Sequence, residues 1–122
     1  MQVTSFNPIY GSNNIKEALN FFEKLGFNQI HDFSSEGFEL KTLENSQGFR
    51  VDIINNDYIR ENNIKGYFAV RINVDDINEA LDFFKENKAE QIMPLFQEGD
   101  SRILTALKTA NNDIYYLIQH IK

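Results

Sequence analysis

Two stretches of the chain repeat one spacing of apolar and polar positions. Ile15, Ala18, Leu19 and Phe22 fall at i, i+3, i+4 and i+7, which places them on one face of an α-helix. Ile77, Ala80, Leu81 and Phe84 repeat that spacing. Asn14–Lys24 aligns with Asp76–Glu86 at an offset of 62 residues, with six of eleven positions identical. Twice the offset nearly equals the chain length of 122, so the pattern predicts a duplicated module. Asn14 and Asp76 are suitable N-caps, and Glu17 and Glu79 stand three residues on, as in a capping box. Gly26 supplies a left-handed stop for the first helix, and Asn87 is the candidate for the second. The Phe21-Phe22 and Phe83-Phe84 pairs read as core.

Short apolar or alternating runs surround each helix. Residues 2–10, 27–33, 38–43 and 49–54 form the first set; 66–74, 91–96, 102–109 and 114–121 form the second. Turn residues break them at 34–37, 44–48, 97–100 and 111–113. Each half therefore reads strand–helix–strand–strand–strand. Pro8 and Pro94 fall inside strands, which places edges or bulges there. One domain over 1–122 is expected, with module 1 at about 1–55, a polar, Asn-rich linker at 56–65 and module 2 at about 66–122.

Composition narrows the function classes. The absence of cysteine removes disulfides, thiolate metal sites and thiol nucleophiles together. Eighteen acidic residues against twelve Lys and Arg argue against nucleic acid, which requires a basic stripe. No apolar run reaches membrane-span length and no signal peptide is visible, so a cytoplasmic, non-membrane protein is expected. His31 and Asp32 are adjacent on a strand and point to opposite faces, while His120 sits near the C-terminus; neither forms a catalytic pair. No nucleophile elbow, phosphate loop or dinucleotide fingerprint occurs.

Two βαβββ modules in a chain of this length resemble the glyoxalase / bleomycin-resistance / dioxygenase group, the vicinal oxygen chelate superfamily. The likeness rests on "IKEALNFFEKLGF" at 15–27 and "VRINVDDINEALDFF" at 70–84. It implies an α+β fold whose mixed sheets curl around a cavity, with helices on the outer face. In the metal enzymes of the group, strands deliver the ligands, and the corresponding positions here are Asn7, Asp52, Ala69 and Tyr116. Only Asp52 keeps ordinary metal-ligand chemistry, and a catalytic divalent site needs at least three good donors. Shifting any of the other three by one residue meets Phe6, Pro8, Phe68, Val70, Tyr115 or Leu117, none of them a ligand. No metal and no cofactor are expected.

Strand parity then selects the side chains sharing a face with those positions. The expected ligand-binding set is Asn7, Phe38, Arg50, Asp52, Ile54, Tyr67, Arg71 and Tyr116, aromatic and apolar walls with orienting charges. Phe68, Val70, Ile72 and Val74 fall on the other face, toward the helices. Arg71 admits two roles: an internal ion pair with Asp52, or a clamp for an anionic ligand group. The resemblance implies a metal-independent, small-molecule-binding homodimer of the bleomycin-resistance type that sequesters its ligand without breaking a bond. The alternatives are a metal-dependent lyase, isomerase or dioxygenase with a displaced site, and a dimeric regulatory module with a vestigial cavity.

Overall fold

A computed structural model describes residues 1–121. The order is β1 (Val3–Ser12), α1 (Ile15–Lys24), β2 (Asn28–Asp32), β3 (Phe38–Glu44) and β4 (Arg50–Asn56). After α2 (Asp57–Glu61) come β5 (Gly66–Val74), α3 (Ile77–Glu86), β6 (Glu90–Glu98), β7 (Arg102–Lys108) and β8 (Ile114–His120). The fold is α+β, with the βαβββ order occurring twice, as the sequence predicts. The linker segment contains α2, a short helix capped by the Asn56 side chain, which accepts from the Ile59 amide. No described helix is long and apolar enough to cross a membrane.

The chain divides into two compact units, Asn7–Phe68 and Met1–Phe6 with the segment from Ala69 onward. In the first unit the strand order is β2-β3-β4-β1, with β1 parallel to β4 and β3 antiparallel to its neighbours. Ile15, Ala18 and Phe22 of α1 bury themselves on Leu43, Val51 and Ile53. Each such large side chain removed from water contributes roughly 1.5–3 kcal/mol. The second unit orders its strands β5-β8-β7-β6, with β5 parallel to β8. Here Ile77, Ala80 and Leu81 of α3 pack on Ile72, Val74, Leu107 and Leu117. Met1–Phe6 joins this unit through hydrogen bonds to the end of β5 and to Asp75. The Gln2 amide donates to Asp75 Oδ1 at 2.7 Å, and the Asp75 amide donates back to the Gln2 carbonyl at 3.2 Å.

The duplication is visible in detail. Asn14 accepts from the Glu17 amide and Asp76 from the Glu79 amide, as the capping pattern requires. Phe21–Phe22 and Phe83–Phe84 stack edge to face at 5.4 and 5.6 Å, both at 89°. Two expectations need correction. Phe22 is core, but Phe21 and Phe83 are exposed, because adjacent helical residues diverge by 100° and only one of each pair can face the sheet. The left-handed stop of α3 is Lys88 at φ 67°, one residue beyond Asn87, and it stands 62 residues after Gly26 at φ 105°. Pro94 lies on β6, where the register to β7 shifts between Met93 and Phe96, and Pro8 precedes the β1–β4 ladder, which begins at Ile9.

Candidate functional site

The strand face opposite α1 in the first unit carries six of the expected ligand-binding residues, and three of the six are buried. Phe38, Asp52 and Ile54 are 5%, 3% and 0% exposed, so no solvent-sized space touches Ile54. Asp52 accepts a hydrogen bond from the Thr42 hydroxyl at 2.6 Å, its register partner on β3. Asn7 and Tyr67 are half-buried. Arg50 is exposed at the start of β4 and pairs with Glu44 at 2.9 Å. The Tyr67 ring lies over Gly11, leaving no room there for a Cβ.

Arg71 and Tyr116 stand side by side in register in the second unit, on the face opposite α3. Arg71 Nε donates to Asn73 Oδ1 at 3.4 Å, and Tyr116 is buried. His120 and Arg102 are register partners on the same face, and Arg102 Nε donates to Glu98 at 2.8 Å. Burial, then the charges of Arg71 and Arg102, lower the His120 pKa below its usual value. This face holds a second arginine, Arg102, that parity did not single out beside Arg71.

The fit of a metal is decided by the donor set. Of the four family positions, Ala69 has no donor, Asn7 offers an amide, Tyr116 is a buried phenol, and Asp52 holds the Thr42 hydroxyl. Among the described residues, no three His, Cys, Asp or Glu side chains gather closely enough to hold a metal ion. These residues do not fit the metal of the chelate enzymes.

An open cavity of about 720 Å³ lies in the first unit on the α1 side of the sheet. Its apolar wall is Tyr10, Ala18, Phe21, Phe22 and Phe68; its polar rim is Ser12, Asn13, Asn14, Glu17, Lys65 and Gly66. Tyr10, Phe22 and Phe68 interlock at centroid distances of 5.0–6.3 Å. The Tyr10 hydroxyl sits where a Cβ on residue 66 would be, so Gly66 permits this placement of the ring. The Asn14 backbone and the Ser12 hydroxyl fix the rim: the Asn14 backbone amide donates to Ser12 Oγ at 3.0 Å, and the Ser12 hydroxyl donates to the Asn14 backbone carbonyl at 3.1 Å. None of the eight expected ligand-binding residues lines this cavity. The signal that could have found it is the clustering of Ser12-Asn13-Asn14 and Lys65-Gly66 beside aromatic residues on the helix-facing strand parity.

No family model matches the sequence, and neither does any curated relative. Solved structures do match the fold along nearly the whole chain. A glyoxalase/bleomycin resistance protein/dioxygenase superfamily member from Vibrio splendidus 12B01 is similar with TM-score 0.62 at 14% identity, covering 97% of this chain and 99% of that one. A hypothetical protein from Bacillus halodurans C-125 matches with TM-score 0.67 at 15% identity, over 98% and 97%. A protein from Staphylococcus aureus gives 0.63 at 14%, over 98% of each chain. With the repeated βαβββ order, these likenesses show that the chain shares the fold of that superfamily member. A shared fold at such identities carries no activity with it.

Proposed function

We propose that the protein is a metal-independent binder of a small organic molecule, akin in mode of action to bleomycin-resistance-type sequestering proteins. The observation that carries this reading is the 720 Å³ cavity with its aromatic wall. That size lies within the roughly 300–1,000 Å³ range of small-molecule sites, and a mostly apolar wall with a few polar rim groups is their usual make-up. Glu17 is the one carboxylate lining it, so the cavity offers a ligand contact area and an orienting charge but no chelate. The expected residues Asn7, Phe38, Arg50, Asp52, Ile54 and Tyr67 in the first unit, and Arg71 and Tyr116 in the second, belong to the proposal as further contact surfaces, each within its own unit. A cytoplasmic homodimer, implied by the resemblance, is part of the same proposal.

The test is elemental analysis and calorimetric titration of tag-free protein with manganese, iron(II), nickel and zinc, followed by a thermal-shift screen of small molecules. A native-state binder raises the melting temperature by mass action. Absence of stoichiometric metal binding, with hits that map to the cavity residues, supports the reading. Tight metal binding abolished by Asp52→Ala overturns it in favour of a metal enzyme. A monomer by light scattering at micromolar concentration removes the dimer.

A further inference from the structure

We infer that the cavity beside α1 selects an organic cation, an alkyl- or arylammonium group, and this rests on the reading of that cavity as a ligand site. Three rings meet there at steep mutual angles: Tyr10 and Phe68 at 62°, Tyr10 and Phe22 at 65°, Phe22 and Phe68 at 89°. The three rings touch edge to face, and all three line the cavity together with Phe21. Aromatic faces carry negative quadrupole potential, so a cavity wall made of rings favours a cation and disfavours an anion. Phe68 is 66% exposed and Phe21 is 62% exposed, an unusual state for large apolar side chains that a ligand would cover.

The charge at the rim agrees. Glu17 lies one helical turn before Phe21, so its carboxylate and that ring share one stripe of α1. The Glu17 amide is already satisfied by the Asn14 cap, and among the described residues its carboxylate receives the long 3.4 Å contact from Asn14 Nδ2. Lys65 is the opposing charge on the rim, a flexible, exposed side chain. A carboxylate beside π faces within a chain of net charge −6 outweighs one solvated lysine for a ligand seated against the rings.

The experiment compares three probes by calorimetry and by amide NMR shifts: choline, its neutral isostere 3,3-dimethylbutanol, and 3-phenylpropionate. Each is run on the wild type and on Phe68→Ala, Glu17→Gln and Lys65→Gln. Phe68 is exposed and Gln serves a capping box as well as Glu, so these variants are expected to fold. The expected result is saturable binding of the ammonium probe, with shifts at Tyr10, Ala18 and Phe22. Phe68→Ala and Glu17→Gln should each weaken it by about fivefold, while Lys65→Gln should leave it equal or tighter. Equal binding of the neutral isostere overturns the cation preference, as does binding of 3-phenylpropionate alone and its loss in Lys65→Gln. Either of those outcomes leaves the cavity as a ligand site. Absence of shifts at the cavity with any probe or any screening hit ends both readings together.

Discussion

Thr42 and Asp52 give the sharpest test of how the closed strand face is held. Both are 3% exposed, and the hydroxyl donates to the carboxylate at 2.6 Å, a charge-assisted geometry. Thr42→Val preserves the shape of the side chain and removes the donor. Hydrogen bonds to charged groups contribute about 1.5–3 kcal/mol, and the change leaves a buried carboxylate with one donor fewer. For a chain of 122 residues, an unfolding entropy of about 2.1 cal/mol/K per residue converts 1 kcal/mol to about 4 °C. The melting temperature of Thr42→Val should therefore fall by roughly 6–12 °C at pH 7. Thr42→Ser, which retains the hydroxyl and loses one methyl, should fall by less. Circular-dichroism melts of the three proteins suffice. A Val variant melting within about 2 °C of the wild type would refute the reasoning, since the lost donor would then cost nothing net.

Other expectations follow from single features. The Asp32 carboxyl, held by the Lys41 ammonium and the Ser34 hydroxyl and amide, has its pKa lowered to about 2. Its contribution to stability is therefore complete above the unfolded carboxylate range and is lost as pH falls from about 4 to about 2, and Asp32→Asn should flatten melting temperature against pH in that window. His120 has a lowered pKa, from burial and the facing Arg71 and Arg102, so it stabilises the fold in its neutral form. Stability should decline as pH falls below about 6.5, an NMR titration should place its midpoint below that value, and His120→Gln should remove the decline. Lys88 sits at φ 67°, where L side chains are strained, and Lys88→Gly should raise stability by about 0.5–1 kcal/mol in urea denaturation.

Much of the fold was legible because its signals are local. Capping at Asn14 and Asp76, the helical stripe at 15–22 and the 62-residue offset are each set by neighbours in sequence. The exposed Phe21 and Phe83 were misread because apolar character outweighed helical phase, and phase is what the sheet enforces. Lys88 was missed because a lysine carries no turn signature; only its alignment with Gly26 reveals the left-handed position. The site was less legible. Parity identifies which residues share a face, but not whether that face is open, and Phe38, Asp52 and Ile54 share a face that packing has closed. The cavity instead draws on a strand end, a helix and Lys65–Phe68, segments some fifty residues apart whose meeting no local pattern records.

The hydrogen-bonded pairing of Gln2 with Asp75 bears on synthesis. A ribosome releases β1 before β5, yet part of β1 has its partners some seventy residues later. Residues 7–68 can gather while translation continues, but Met1–Phe6 must wait for β5 to emerge. During that interval the backbone donors and acceptors of this segment stay available to other molecules. A chaperone or a neighbouring nascent chain that captures this leading segment would act before the second unit can close.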